Sequence, residues 1–283
     1  CTPHVPFEIY PPGPGKTAIK DVYYDYSDGR MLRKPRTGML FCYGSGGLLA
    51  LGPALRNGNQ VLNFLNTRFI RWNLERGCLL CHAAGIARDG AGLALAGISG
   101  AGKSTLALDL ISAGCNFVSN DRLLVHRHPA GHLEMLGLPK MPRVNPGTIL
   151  HNPQLAALLT PAEREAYAAL PPHELWPLEQ KYDADIDACF GPGRVQLAAP
   201  LTACVILTWR LVAGAPQLHA VPLSERPDLL QALAKPLGVH HHAPGLATPP
   251  SAKLSSYQTV LHDCPTLEIA GGVDFARATA GCL

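Results

Sequence analysis

The fold is decided by the stretch Gly97-Ile98-Ser99-Gly100-Ala101-Gly102-Lys103-Ser104. Its pattern is a glycine, four residues and then Gly-Lys-Ser, which is typical of a loop that binds phosphate groups. The apolar residues 92–96 before it predict a buried strand, and the spacing of apolar residues in 105–111, closed by Gly114, predicts a helix. Strand, glycine-rich loop and helix together point backbone N–H groups at a polyphosphate.

The residues of this loop have separate predicted roles. Lys103 would reach the β- and γ-phosphates of a nucleotide, and the Ser104 hydroxyl would bind Mg²⁺. The expected cofactors are therefore ATP and Mg²⁺, and a glycine-rich turn that binds nothing is the alternative. The predicted cofactor-binding residues are Gly97, Ser99, Gly100, Ala101, Gly102, Lys103, Ser104 and Thr105.

An acidic residue follows closely after the predicted helix. Residues 116–121 predict a strand that ends at Asp121. A carboxylate beside the phosphates can bind Mg²⁺ or accept the proton of an attacking hydroxyl. We therefore predict Asp121 as a metal ligand and a catalytic residue, with a carboxylate that only caps the next turn as the alternative.

The order of these features resembles the HPr kinase/phosphorylase family and, more distantly, the ATP-dependent phosphoenolpyruvate carboxykinases. The matching stretch runs from His82 at the head of a strand, through a glycine-bounded hairpin at 89–92 and the loop at 97–104, to about Arg127. The resemblance implies an α/β fold with a P-loop kinase core of this type, a mixed sheet with flanking helices. It also implies that His82 contacts the γ-phosphate or the acceptor, whereas a histidine satisfied within the core is the alternative.

The chain departs from that family in four respects. The family has two adjacent aspartates where this chain has Asn120-Asp121, and a glutamate where it has Thr105. Gly137–Arg143 replaces an Arg-Gly-rich segment, and the family's amino-terminal domain is not recognisable. Nucleotide handling is therefore implied by the resemblance, whereas the identity of the phosphoacceptor is not. Asp183 or Asp185 could supply the second carboxylate.

Two cations stand in the replaced segment, and we predict both as catalytic residues. Lys140 and Arg143 follow the acidic strand and are bounded by prolines. A cation placed there can stabilise the charge that spreads over the γ-oxygens during phosphoryl transfer. Two solvated loop cations are the alternative. Lys181 and Arg194 belong to a charged stretch that could bind substrate, with a solvated loop as the alternative.

The sequence thus predicts an ATP-dependent kinase that phosphorylates a hydroxyl of a protein serine or of a small metabolite. A P-loop NTPase switch, in which water is the acceptor, and a regulatory nucleotide-binding module without chemistry stay open. A decarboxylating carboxykinase fits less well because the chain is short. The resemblance also implies a phosphate-driven reverse reaction, which the single carboxylate opposes. The acceptor and the choice between ATP and GTP remain undecided.

Composition limits the partners. The 283 residues are 47% hydrophobic, which allows a sizeable core, and the net charge of +3 does not favour nucleic acid as a partner. The longest apolar run, 201–207, is too short to cross a membrane, and residues 1–4 lack the features of a signal peptide. We predict a cytoplasmic protein without nucleic-acid or membrane partners, and a homo-oligomer stays open.

The chain divides into a predicted N-terminal arm with a β-hairpin, residues 1–55, and an HPr-kinase-like P-loop domain, residues 56–283. Glycines at 44–47 join the two strands of the hairpin. Residues 59–76 predict a helix whose broad apolar face would carry Val61, Leu62, Leu65, Phe69 and Trp72.

Two further groups are predicted to be structural. Cys78 and Cys81 form a CxxC pair within an apolar run and have no second pair downstream, so buried strand cysteines are favoured over a metal or redox site. His240-His241-His242 lies in a stretch rich in proline and glycine and predicts a solvent-exposed loop.

Overall fold

The computed structural model describes residues 6–12, 17–98, 100–212, 214–245, 248–249 and 253–283. Contacts group the chain into two units, Cys1–Gly77 with Pro236–Ala252 and Cys78–Lys235 with Lys253–Leu283. The boundary predicted between residues 55 and 56 stays a prediction. No helix among the described residues is long and apolar enough to span a membrane.

The first unit contains an antiparallel sheet in which strands adjacent in the chain are adjacent in space. Its strands are β1 (Glu8–Ile9), β2 (Val22–Tyr26), β3 (Gly29–Arg33), β4 (Leu40–Gly44) and β5 (Gly47–Leu51), and helix α1 (Gly58–Leu74) follows. The predicted hairpin is confirmed as β4 and β5, which pair from Gly44 opposite Gly47 to Leu40 opposite Leu51.

Helix α1 is present, but of the predicted apolar face only Val61 packs against the core of this unit. Phe64, Ile70 and Leu74 are buried, and Phe64 packs with Phe41 at 4.9 Å between ring centroids. The predicted face was wrong in part because the helix is apolar on more than one side, and spacing alone does not say which side is covered. The residues left exposed on the predicted face are Leu62, Leu65, Phe69 and Trp72.

The second unit is a mixed α/β structure with more than one sheet. Its described strands are β6 (Leu79–Cys81), β7 (Ala84–Arg88), β8 (Ala91–Gly97), β9 (Asn116–Ser119), β10 (Leu123–Arg127), β11 (Leu133–Leu136), β12 (Arg143–Val144), β13 (Tyr182–Asp183), β14 (Ala198–Pro200), β15 (Ala203–Leu207), β16 (Pro216–Ala220) and β17 (Thr266–Gly271). Its described helices are α2 (Lys103–Ser112), α3 (Pro146–His151), α4 (Pro161–Ala168), α5 (Pro172–Leu175), α6 (Ile186–Phe190), α7 (Pro227–Leu233), α8 (Leu254–Leu261) and α9 (Phe275–Cys282).

The central sheet of this unit has the order β16-β17-β15-β8-β7-β9 and is buried on both faces. Along β8, Leu95 faces one core, which also contains Leu106 of α2, whereas Ala94 and Ala96 face a second core. The second core also contains Leu230 of α7. Alternate residues of a strand point to opposite faces, so β8 reads as a continuous apolar run and still supplies two cores. The predicted mixed sheet with flanking helices is therefore present.

Strand direction brings several loops to one edge of this sheet. Strands β8, β15 and β17 run parallel to one another. Strand β7 is antiparallel to both β8 and β9, so β9 also runs in the direction of β8. The carboxyl ends of β8, β9, β15 and β17 and the amino end of β7 consequently meet at the same edge, which is where open α/β sheets place their ligands.

Two predictions about structural residues have different outcomes. Cys78 and Cys81 are buried at the start and end of the β6 region, as predicted, with 4% and 0% of their surface exposed. The described residues contain no cluster of three His, Cys, Asp or Glu side chains able to hold a metal. The solvent-exposed histidine loop is wrong in part, because His241 is only 5% exposed. A polar residue type does not by itself decide exposure.

Candidate functional site

A cavity of about 580 Å³ lies at the edge of the second unit where the strand ends meet. This volume is in the range of small-molecule sites. Among the described residues that line it, five side chains are cationic and one is a carboxylate, Asp121. The cations are Lys103, Arg122, Lys140, Arg143 and Lys181. A cavity with this balance favours an anionic ligand.

The loop between β8 and α2 forms one wall of the cavity. Gly102 stands immediately before α2 with φ of 84°, a conformation that suits glycine. A Cβ at this position would also lie 2.7 Å from Cζ of Phe275, so the close approach of that ring requires glycine too. Trp209, which follows β15, donates a hydrogen bond from Nε1 to the carbonyl of Ala101 at 2.7 Å. Neither residue lines the cavity, so this bond holds the loop from the side away from the cavity.

The predicted loop residues are placed unequally around the cavity. Those that line it are Gly100, Gly102, Lys103, Ser104 and Thr105. Gly97 and Ala101 do not, and their carbonyls accept hydrogen bonds from Lys103 and Trp209 instead. Ser99 lies outside the described residues.

Lys103 is a buried cation at the first position of α2. Its Nζ donates to the carbonyl of Gly97 at 2.9 Å and to that of Ile98 at 3.3 Å. Burial lowers the pKa of Lys103 to about 8, the charge of Asp121 opposes this, and the charge of Lys235 adds to it. An anion in the cavity would stabilise the charged form of this ammonium.

Asp121 lies just beyond the carboxyl end of β9, where a bend follows Asn120. His82, which precedes β7, has Nε2 at 3.1 Å from Oδ1 of Asp121, and Nζ of Lys235 lies 2.9 Å from Oδ2. Because the two strand ends share one edge, the structure brings the predicted residues His82 and Asp121 together. Lys235 was not predicted and belongs to the same cluster.

The partners of Asp121 determine its charge. Desolvation raises the pKa of this carboxyl, but the hydrogen bond with His82 and the ammonium of Lys235 together bring it well below its usual value. Asp121 is therefore ionised at neutral pH, and a carboxylate with so low a pKa is a weak base in this arrangement. The structure therefore places an ionised carboxylate between two nitrogen donors, and its role in cation binding or in proton abstraction stays a prediction.

The segment after β11 adds further cations. Lys140 reaches solvent, yet partial desolvation and the charges of Arg122 and Arg143 lower its pKa. Arg143 lies in β12 and pairs in the ladder with Asp183 of β13. The charges of Asp121 and Asp183 oppose the lowering of the Lys140 pKa in part, and an anionic ligand would favour the charged form of Lys140 further.

Neither Asp183 nor Asp185, the two aspartates considered as a second carboxylate, lines the cavity. Asp185 is the N-cap of α6, where its Oδ1 accepts a hydrogen bond from the amide of Ala188 at 3.1 Å. Arg194 is also structural, because it donates to the carbonyl of Cys115 at 3.0 Å beyond the end of α2. Lys181, by contrast, lines the cavity.

A group of aromatic side chains lines the cavity near the start of α2, and the sequence did not predict it. Rings of Trp176 and Phe275 lie 6.4 Å apart between centroids with 26° between their planes, and His151 lies 5.0 Å from Phe275. All three line the cavity. They come from the end of α5, the start of α9 and the end of α3, so no local pattern connects them.

The residues present fit magnesium and a nucleotide by the chemistry of their donors. Ser104 and Asp121 both line the cavity and offer a hydroxyl and a carboxylate oxygen, the ligand types that Mg²⁺ prefers. Mg²⁺ bound with phosphates needs only one or two protein ligands, so the lack of a larger cluster among the described residues does not oppose it.

Comparisons with known proteins give distant structural likenesses only. No protein-family model matches the chain, and no curated protein matches it either. Solved structures that match include the Hpr(Ser) kinase/phosphatase from Coxiella burnetii, which is 13% identical, with a TM-score of 0.36. The match covers 71% of this chain and 86% of that one. At this TM-score the relation is a distant structural one, and membership in the family stays a prediction.

Proposed function

We propose that this protein is an ATP-dependent phosphotransferase with a P-loop kinase core of the HPr-kinase type. It would transfer the γ-phosphoryl group of Mg-ATP to a hydroxyl of a protein serine or of a small metabolite. The observation that carries the proposal is the cationic cavity at the strand edge, with five described cations against the single carboxylate of Asp121. The glycine-rich loop that follows strand β8 and the start of helix α2 contribute to its wall.

The residues at the start of α2 would hold the polyphosphate. The first amides of a helix have no partner within the helix, and at α2 they follow Gly100 and Gly102, which line the cavity. Lys103 would turn from the carbonyls of Gly97 and Ile98 towards the β- and γ-phosphates. Ser104 would contribute its hydroxyl to Mg²⁺.

Asp121 and its neighbour His82 would act at the γ-phosphate end. Asp121 would bind Mg²⁺ directly or through water, since its carboxylate is ionised and already attracts the cation of Lys235. His82 would keep the carboxylate oriented through the 3.1 Å contact and lie near the transferred group or the acceptor. Lys140 and Arg143 would stabilise the charge that develops on the γ-oxygens.

The experiment that tests this proposal uses γ-labelled ATP with purified protein and a cell lysate, fractionated into proteins and metabolites. Transfer of label to one fraction is the expected result. Lys103→Ala removes the phosphate-binding cation and should abolish transfer, whereas Lys253→Ala, an exposed lysine outside the cavity lining, is the matched control.

Two outcomes would contradict the proposal. Release of labelled phosphate into water, without label on any fraction, would favour the NTPase switch. Binding of ATP without release or transfer would favour the regulatory module without chemistry.

A further inference from the structure

The start of α2 separates two chemically different ends of the cavity. Lys103 and Thr105 are two positions apart in α2, and side chains at that spacing point to nearly opposite sides of a helix. The charge of Asp121 acts on Lys103. Thr105, on the other side, shares a hydrogen bond of 2.8 Å with the hydroxyl of Thr148 in α3. The γ-phosphate end therefore belongs to the side of Lys103, and the rest of the nucleotide to the side of Thr105.

A chain of contacts leads from Thr105 to the aromatic end. Thr148 lies in α3, and His151 ends that helix three residues later. His151 Nε2 lies 2.8 Å from Oδ2 of Asp109 in α2, which anchors α3 along the helix. The ring of His151 then contacts Phe275, which also lies against Gly102.

Trp176 is the outermost member of this aromatic group. Its ring stacks near Phe275, whereas Trp209 meets Phe275 edge-on at 5.1 Å from behind and is only 3% exposed. Trp176 keeps 37% of its surface exposed and lines the cavity. The apolar residues beside it in the lining are Leu170, Pro172 and Leu175. An exposed indole in an apolar pocket offers a flat face to a planar ligand.

From this arrangement we infer that the aromatic end is a nucleobase subsite and that Trp176 is its stacking surface. The inference rests on the proposed nucleotide-binding function and adds the place and recognition of the base. If the phosphates of a nucleotide lie at the start of α2, its ribose and base would extend towards the side of Thr105. The aromatic group is the flat apolar surface in that direction. Stacking tolerates different bases, because every base has a π-face.

The test compares the affinities of ATP and inorganic tripolyphosphate, both with Mg²⁺, by calorimetry. Tripolyphosphate carries the phosphate groups and lacks the base. The wild-type protein should bind ATP at least about tenfold more tightly than tripolyphosphate. Trp176→Ala should lower the affinity for ATP by about tenfold and leave that for tripolyphosphate unchanged, and Trp176→Phe should retain most of the difference. Trp72→Ala, an exposed tryptophan of α1, is the matched control.

A second measurement does not depend on the folding of a Trp176 variant. In Trp72→Phe, the remaining tryptophans are Trp176 and the buried Trp209. ATP should change the tryptophan emission of this variant more than tripolyphosphate does, because stacking places the base on the indole of Trp176.

The outcomes separate this inference from the function on which it rests. If tripolyphosphate binds as tightly as ATP, or if Trp176→Ala weakens both ligands equally, the subsite is disproved while the phosphate site stands. If neither ligand binds the wild-type protein, the proposed function fails and the subsite fails with it.

Discussion

Lys235 donates a hydrogen bond from Nζ to Oδ2 of Asp121 at 2.9 Å, although 114 residues separate the two in the chain. Lys235 follows α7, and its amide bonds to the carbonyl of Leu80 at 3.1 Å beside β6. The backbone contact therefore fixes the main chain of Lys235 beside β6, within reach of Asp121 for the side chain. His82 contacts Oδ1, so both oxygens of Asp121 have a partner. The ammonium of Lys235 is the cation beside the carboxylate.

Removing this ammonium should raise the pKa of Asp121. Lys235→Met keeps most of the side-chain volume and removes the charge, so the carboxyl loses one of the groups that lower its pKa. A ¹³C NMR titration of the Asp121 carboxyl, with its signal assigned from Asp121→Asn, measures the change. The midpoint should move upwards towards the ordinary value in Lys235→Met and stay in place in Lys253→Met. An unchanged midpoint would mean that the ion pair does not control the charge of Asp121.

Lys103→Ala should bind nucleotide more weakly if the loop between β8 and α2 binds phosphate groups. The substitution removes the cation expected at the β- and γ-phosphates, and calorimetry with Mg-ATP should show an affinity at least tenfold lower, about 1.4 kcal/mol. Circular dichroism and the melting temperature check that the protein remains folded. Unchanged affinity would disprove the assignment of the loop.

Nucleotide affinity should fall as the pH rises above about 8. The pKa of Lys103 in the free protein is about 8, so the phosphate-binding ammonium is increasingly lost above that pH and must regain a proton when a polyphosphate binds. Calorimetry in buffers of different ionisation enthalpy should detect this proton uptake between pH 7 and 9. Lys103→Arg keeps its charge over the same range and should lack the uptake, even if its affinity is lower. Equal uptake in both proteins would assign the proton to another group.

The sequence predicted those parts of the site that depend on local pattern. The loop and the start of α2 follow from one contiguous motif, and Asp121 follows from a strand that begins soon after α2 ends. Their encounter with His82 could be expected only through the resemblance, because it depends on the directions of β7, β8 and β9.

The parts that the sequence did not predict come from distant segments or from a choice between faces. Lys235, Trp176 and Phe275 lie at or just beyond the ends of separate helices, and nothing in their neighbouring residues distinguishes them from ordinary surface or core positions. Helix α1 was predicted correctly as a helix, but its buried face depends on Phe41 in the sheet, which helical spacing cannot reveal.

Asp121→Asn should impair phosphoryl transfer more than nucleotide binding. The substitution keeps the size and hydrogen bonding of the side chain but removes the charge that would attract Mg²⁺ at the γ-phosphate end. Turnover should fall by about 10²-fold or more, with a much smaller loss of ATP affinity. Steady-state kinetics and calorimetry on the same preparation measure the two effects. Full turnover in the variant would remove Asp121 from the chemistry, and the structure offers neither Asp183 nor Asp185 in the cavity lining as a replacement.

The last prediction concerns the acceptor side of the cavity. Arg143 lies in β12, opposite Asp183 of β13, and it lines the cavity without belonging to the loop that would hold the phosphates. Its segment, Gly137–Arg143, is also where the chain departs from the HPr kinases it resembles. Because this segment differs from the one expected in that family, we expect a different acceptor, and purified HPr should not be phosphorylated. Arg143→Ala should weaken transfer to the true acceptor more than it weakens ATP binding, because the guanidinium would act on the transferring group or the acceptor. Transfer assays and calorimetry on Arg143→Ala, with Arg164→Ala of α4 as an arginine control outside the cavity lining, compare the two effects. Efficient serine phosphorylation of HPr, or equal losses of binding and transfer in Arg143→Ala, would overturn this assignment.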